Sequence, residues 1–573
     1  MLSGDMEKLY PSAKTLVKEC VASRLHDKDA SLYDFSDEAR TCAEQYMGWT
    51  DLASNPPFAP ADIKTFADSM LAQGLKSVLL IGQGGSTQAP MTITKYFKPD
   101  STKVKFRTLD SDSPVRVRGI LAEIDPRTTL FVISSKSGGT IEPRLALRAV
   151  REAVADRISP EEMVKHLVAV TDPGSDLERQ AREEGWAAVF PGEPTVGGRF
   201  SALSVFGLLP AALVGIDLER FMAHAVEAER RCSEDAIDNP AIGLAAFLYD
   251  NYLQGRNKFS FLTQKRGRVL GLWIEQLVAE SLGKEGQGIL PNIEVDSLLL
   301  THDPSDRSVI AYKTKNDLWD ERRNFELGLS YIDPTIPRAN FKIDSVEELA
   351  EHFVMWEYAT AMCGYLMKVC PFDQPDVASA KAEVLNILKE GQPAADFVED
   401  CIGDVCMGEV EVRLSPAFKG ETTLRSALKA LLASIEPGDF FALNAFLPFT
   451  GEGRREALES IRHGVAEKRG VASCLEVGPR YLHSTGQLQK GGPNMGVFLI
   501  LSADELKDIP LHQEADSLGA LAKAQASGDL ITLASRGRRV LHVHLPDNAG
   551  VTLRALADLV DDLLEELDTP TLK

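Results

Sequence analysis

The sequence predicts an α/β protein: two αβα sandwich domains with parallel sheets, followed by a C-terminal α/β extension. Three observations lead there. From about residue 61 onward, short apolar, β-branched runs alternate with longer helical patterns, an order that lays helices on both faces of a parallel sheet. The 573 residues exceed what one hydrophobic core accommodates. A content of 44% hydrophobic and 25% charged residues is that of a soluble globular chain.

Residues 1–60 read as a helical segment that closes in the Pro-rich break Asn55-Pro56-Pro57-Phe58-Ala59-Pro60. The first αβα domain is expected over 61–217. Its first strand, 77–81, runs into Gly82-Gln83-Gly84-Gly85-Ser86. A second, 129–134, is followed by a helix to about residue 155, and 166–171 and 187–190 are further strands. Residues 206–252 look helical and supply a connection over 218–257. The second domain, 258–390, holds a strand at 258–262, a helix at 269–282, a strand at 309–312 and a long helix at 345–369. These two blocks read as two copies of one unit. In the C-terminal block, 391–573, strands are expected at 409–413, 440–446, 496–501 and 539–545. A helix follows Gly453, and another spans 551–567.

The net charge of −22 argues against nucleic acid or an anionic membrane as partner, but not against a small anion held in a local cationic pocket. The longest apolar stretch, 206–216, is too short to cross a bilayer and contains Pro210. No basic region followed by an apolar core opens the sequence, so a cytoplasmic protein is expected. Eight cysteines are scattered without a Cys-x-x-Cys pair, which suggests reduced thiols and no zinc site. His542 and His544 share one strand face, yet no third ligand stands near them in the sequence.

Ser135-Lys136-Ser137-Gly138-Gly139-Thr140 lies between a strand end and a helix start. Unpaired N–H groups and the positive end of the helix dipole welcome an anion there, and the hydroxyls add donors. The alternative is a plain turn with Thr140 as N-cap and Pro143 in the first helical turn. The Gly82–Ser86 loop resembles the start of a dinucleotide fingerprint but lacks its third glycine. Two hydroxyl-bearing loops at the carboxyl ends of parallel strands suit a phosphorylated sugar better. In Gly197-Gly198-Arg199, the arginine stands at a helix start, either for an anion or as a surface charge. On the helix at 269–282, apolar nearly all round, Gln276 and Glu280 stand at i and i+4, with Lys284 extending that face. Glu280 is either half of a surface pair with Lys284 or a site carboxylate. Its place on a buried helix favours the second.

Taken in order, these pieces resemble the phosphoglucose isomerase family, with its two sugar-isomerase (SIS) domains. The family's Gly-Gly-Ser loop, Ser-Lys-Ser/Thr loop, Gly-Gly-Arg, Gln-x-x-x-Glu-Ser-x-Gly-Lys helix and Phe-Asp-Gln followed by lysine stand at 84–86, 135–140, 197–199, 276–284 and 372–381. The resemblance implies that Ser86, Ser135, Lys136, Ser137 and Thr140 hold the 6-phosphate, and that Gly85, Gln276 and Gln374 line the sugar. It implies Glu280 as the base moving a proton between C2 and C1, Arg199 as the stabiliser of the cis-enediolate, and Lys381 as an aid to ring opening. Glu142 would correspond to the acid that orients the family's ring-opening histidine. The implied reaction interconverts glucose 6-phosphate and fructose 6-phosphate, needs no metal or other cofactor, and belongs to a homodimer.

The family's Gly-Gln-His motif is absent beyond the base. His483, set among glycines, Arg480 and Lys490, is the expected substitute. Its surroundings, 478–487, resemble the isomerase half of bacterial transaldolase–phosphoglucose isomerase fusions. Ala279 and Leu282 depart from the family pattern and leave selectivity open, so a dual phosphoglucose/phosphomannose isomerase stays in view. A non-catalytic sugar-phosphate sensor would need the phosphate loops but not Glu280, Arg199 and Lys381 together.

Overall fold

The computed structural model describes residues 10–96, 104–293, 295–314, 319–511 and 515–568. The chain forms two compact units, one of residues 1–110 and 123–374, the other of 111–122 and 375–573.

The first unit contains two parallel sheets. Strands β1 (Ser77–Gly82), β2 (Lys105–Leu109), β3 (Thr129–Ser134), β4 (Leu167–Thr171) and β5 (Ala188–Pro191) lie in the order β2-β1-β3-β4-β5. The central strands are buried on both faces, which is why they read as continuous apolar runs. Edge strand β2 alternates Lys105 and Arg107 with apolar residues, and its sequence gives no such run. The register sets Gly82 beside Ser134 and Ser134 beside Val170, so the loops after β1, β3 and β4 leave the same sheet edge side by side. Only a glycine fits at position 82, because a Cβ there would lie 2.6 Å from the Ser134 carbonyl oxygen.

The second sheet, β6 (Lys258–Thr263), β7 (Leu290–Ile293), β8 (Arg307–Thr314) and β9 (Arg338–Ile343), has the order β7-β6-β8-β9 and is also all parallel. The strand winding of the first sheet is thus repeated. Between the sheets in the chain, the stretch expected to be helical forms three helices, Val205–Leu213, Leu218–Cys232 and Pro240–Leu253. Asp217 and Asn239 break it by capping the next helix with their side chains. One continuous core joins both sheets, and the helix Val346–Met367 runs through it with Phe353, Trp356 and Tyr358 buried.

In the second unit, strands β10 (Phe397–Ile402), β11 (Val405–Leu414), β12 (Phe440–Phe446), β13 (Ala472–Val477), β14 (Gly496–Ala503) and β15 (Arg539–Leu545) lie in the order β10-β11-β15-β14-β12-β13. The β10/β11 and β11/β15 pairs are antiparallel, while β13-β12-β14-β15 is parallel. Its parallel part follows the same winding a third time: first strand central, second to one side, third and fourth to the other. The helix Pro114–Ala122 belongs to this unit, with Arg118 donating to the carbonyls of Lys507 and Asp508.

The expectation of eight reduced thiols is corrected here: Cys401 and Cys406 form a disulfide across the β10–β11 hairpin, and six cysteines are free. Hairpin register sets the two directly opposite each other, which a spacing of scattered cysteines does not reveal. His542 and His544 both face Ser502, whose Oγ lies 2.8 Å from each ring, and His544 continues to Asp504 at 3.0 Å. Among the described residues no helix is long and apolar enough to cross a membrane.

Candidate active site

The glycine loops bring backbone to backbone at the carboxyl edge of the first sheet. A Cβ on Gly85 would lie 2.0 Å from the Gly198 carbonyl oxygen and 2.9 Å from the Arg199 nitrogen, so only glycine lets the loop after β1 meet the arginine turn. Ser86 and Ser135 are buried. Thr140 occupies the N-cap position of the helix Ile141–Val154 but makes no side-chain cap, and its hydroxyl accepts from Ser135 Oγ at 3.4 Å. Ser137 is exposed, and its Oγ accepts from Gly139 N–H. Gly138 takes a left-handed φ of 67°. Lys136 binds Asp172 and donates to the carbonyls of Glu193 and Pro194 at 3.1 and 3.2 Å. Burial holds the Asp172 carboxyl above its ordinary range, against the pull of Lys136. Glu142, in the first turn of that helix, is buried.

Arg199 is 4% exposed and is held as a fork. Its Nε donates to Ser281 Oγ at 2.7 Å, one Nη1 hydrogen to Gln374 Oε1 at 3.0 Å, and Nη2 to the carbonyls of Pro371 and Asp373 at 2.6 and 2.8 Å. Four of the five guanidinium N–H donors are thereby used among the described residues. The fifth is on Nη1, which stands 3.6 Å from Glu280 Oε1, too far for a hydrogen bond but close enough for charge to act. The aromatic wall behind it stacks Trp49 on Phe200 at 4.8 Å and sets Phe200 against Phe372 at 5.5 Å.

Glu280 and Gln276 are both buried on the helix Arg268–Leu282. Gln276 Nε2 donates to Glu280 Oε2 at 3.1 Å, while Gln276 Oε1 is buried with no hydrogen-bond partner among the described residues. The surface-pair reading of Glu280 fails: Lys284, 1% exposed, turns away and donates to Asp373 Oδ1 and to the carbonyls of Cys370 and Asp373. Burial lowers the Lys284 ammonium from its ordinary value, opposed by Asp373. The helix ends at Leu282, which frees Lys284 from the face of Glu280. Sequence reading missed Ser281, Asp373 and the role of Lys284. The signal available was their place in the motifs at 276–284 and 372–374, which give no hint that they meet.

The remaining two predicted residues stand in the second unit. Lys381 is exposed on the helix Val377–Glu390. His483 closes a short 3₁₀ turn, Arg480–His483, just before the helix Thr485–Gly491. This segment is pinned at both ends by Asp529, which accepts from Tyr481 Oη at 2.6 Å and pairs with Lys490 at 2.5 Å. Burial pushes the neighbouring Glu476 carboxyl up to about 7, against Thr485 and Arg480.

A sequence profile described as phosphoglucose isomerase matches residues 67–296, the stretch from the helix before β1 through β7. The chain is 39% identical over 389 residues to a glucose-6-phosphate isomerase of Synechococcus sp. (strain JA-3-3Ab), covering 60% of this chain and 72% of that protein. The chain belongs to the phosphoglucose isomerase family. A second relative, the glucose-6-phosphate isomerase of Mycoplasmopsis pulmonis, is 29% identical over 394 residues and is covered to 91% of its length by 60% of this chain. Among solved structures, a glucose-6-phosphate isomerase from Chlamydia trachomatis superposes with a TM-score of 0.51 at 19% identity, over 58% of this chain and 73% of that one. A hypothetical protein from Thermus thermophilus reaches 0.55 at 24% identity, over 65% of this chain and 96% of that one. These structures share the fold of this phosphoglucose isomerase family member: mixed α/β with parallel, SIS-type sheets.

Proposed function

We propose that this protein is a glucose-6-phosphate isomerase, interconverting glucose 6-phosphate and fructose 6-phosphate by proton transfer through a cis-enediolate. The observation that carries the reading is the Glu280–Arg199 pair: a buried carboxylate facing a guanidinium immobilised by four acceptors, with one donor left on the facing side. Proton transfer between adjacent carbons needs one base in a water-poor site and a fixed positive group where the enediolate oxygen develops. Glu280 takes the proton at C2 and returns it at C1, and the remaining Nη1 hydrogen of Arg199 meets the enediolate oxygen.

Ser86, Ser135, Ser137 and Thr140, with the backbone N–H groups at the start of the helix Ile141–Val154, receive the 6-phosphate. Lys136, engaged by Asp172 and two carbonyls, fastens that loop to the ends of β4 and β5 and supplies charge beside it. Gln276 Oε1 accepts from a sugar hydroxyl, and Gly85 and Gln374 line the sugar. His483 and Lys381 serve ring opening, His483 standing in for the family's histidine and Glu142 for its orienting acid. The C-terminal block corresponds to that of the transaldolase-fused isomerases. A cytoplasmic homodimer without metal or other cofactor is the working form.

Glu280→Gln tests the reading. The amide keeps the shape and the bond from Gln276 but cannot take a proton. Turnover of fructose 6-phosphate should fall by at least about 10²-fold, with binding of fructose 6-phosphate by calorimetry retained. Unaltered turnover would overturn the mechanism. Comparing glucose 6-phosphate with mannose 6-phosphate separates the dual-specificity alternative.

A further inference from the structure

Beneath the turn that holds Arg199 lies a cluster that isomerisation does not use. Cys42 sits on the helix Asp37–Tyr46, and Cys370 and Asp373 sit in the turn after the helix Val346–Met367. Their sulfurs and one carboxylate oxygen all lie within 4.8 Å of one another. Cys370 is buried, whereas Cys42 and Asp373 are half-buried, so the cluster is open on one side. Lys284 donates to Asp373 Oδ1 at 2.6 Å, so one positive group already faces that carboxylate.

We propose that Cys42, Cys370 and Asp373 form a three-ligand site for a thiophilic divalent cation of the zinc class, and that filling it throttles the enzyme through the Arg199 turn. Two sulfurs and one carboxylate suit zinc and not magnesium or calcium, with water in the open fourth position. Two thiolates and a carboxylate balance the cation plus the Lys284 ammonium. Binding therefore releases two protons, one from each thiol. Tetrahedral ligands at about 2.3 Å for sulfur and 2.1 Å for oxygen stand roughly 3.5–4 Å apart, so occupancy draws the cluster inward by up to about 1 Å. The Asp373 and Pro371 carbonyls that fix Arg199 belong to the same turn. Misplacement by about 1 Å costs on the order of 10² in rate.

Cobalt(II) serves as the probe, titrated into the full, metal-stripped chain. One equivalent should produce a near-ultraviolet thiolate-to-cobalt absorption with visible bands of tetrahedral cobalt, and zinc should displace it. Cys42→Ser should weaken that absorption, leaving only the contribution of Cys370, and bind cobalt at least about tenfold more weakly. Its metal-free turnover and thermal midpoint should stay at the wild-type values. Cys42→Ala, read in the same way, guards against a serine ligand. A missing thiolate band, or one equally strong in both variants, overturns the site. The throttling clause rests on the isomerase reading of Arg199, whereas the cobalt spectrum does not. Saturated wild type should lose about 10²-fold in turnover and the variants should not. Unchanged turnover at full occupancy overturns that clause.

Discussion

Replacing Arg199 by lysine keeps one positive charge and removes the fork. In the native site, Ser281 Oγ, Gln374 Oε1 and the carbonyls of Pro371 and Asp373 each receive their own N–H, and the remaining Nη1 hydrogen is left beside Glu280. An ammonium has three donors at a single point and cannot span acceptors that the guanidinium reaches from three nitrogens. Gln374 is exposed and rehydrates, and the Asp373 carbonyl keeps its bond from Lys284 at 2.8 Å. Ser281 and the Pro371 carbonyl then lose a charged partner in a buried place. At about 1.5–3 kcal/mol for each such bond, with some recovered by local adjustment, the variant should lose about 2–4 kcal/mol of stability. The loss of a fixed donor at the developing oxyanion should cost about 10²–10³ in kcat. KM for fructose 6-phosphate should move only a few-fold, because the phosphate loops keep their contacts. A coupled dehydrogenase assay gives kcat and KM, and urea unfolding gives stability. A folded Arg199→Lys enzyme with kcat within about threefold of wild type would refute the role of fork geometry.

Gly85→Ala places a Cβ against the backbone of Gly198, which cannot swing aside, so the urea midpoint should drop by an amount equivalent to about 2–3 kcal/mol; a neutral effect would show that the two loops do not touch. For Glu476, the native carboxyl holds its proton up to about 7 against an ordinary value of 4.5. Between those values the native state binds a proton that the unfolded chain has released, so the stabilisation is complete below 4.5 and is lost as pH rises to 7. Relative to Glu476→Gln, wild type should therefore lose about 3 kcal/mol over that window, and parallel stability curves would contradict the assignment. His483→Ala should slow turnover of the cyclic sugar by about 10²-fold or more while C2 proton exchange on open-chain substrate persists; equal rates on the cyclic sugar would end the ring-opening role.

Legibility followed burial. Strands β1, β3, β4 and β12 are covered on both faces and stand out as apolar runs at the expected residues. Edge strand β2 carries charges, and β7 is four residues with Pro291 inside, so neither run has the length or pattern of a strand in sequence. The two glycine- and hydroxyl-bearing loops after β1 and β3, and the buried helix with Glu280, were readable because glycines, hydroxyls and a carboxylate stood out against apolar flanks. The fork around Arg199 was not readable, since its acceptors come from Ser281 and from residues 371–374, and only the folded chain assembles them. The partner of Lys284 was hidden for the same reason. The third repeat of the parallel winding in the C-terminal block escaped because β13 gave no clear strand signal and the antiparallel β10–β11 hairpin precedes the repeat.

The helix Pro114–Ala122 is made early and used late. It is grouped with residues 375–573, and Arg118 is bonded to Lys507 and Asp508, nearly 390 positions downstream. At a synthesis rate of about 5–20 residues per second, its partner backbone emerges from the ribosome tens of seconds after it. Throughout that interval Val117, Ile120 and Leu121, buried in the finished unit, lack their final cover. A segment of the second unit is thus encoded inside the first, and no single cut of the gene separates the two units. A chain broken between 374 and 375 would leave that nine-residue helix on the opposite fragment from the rest of its unit.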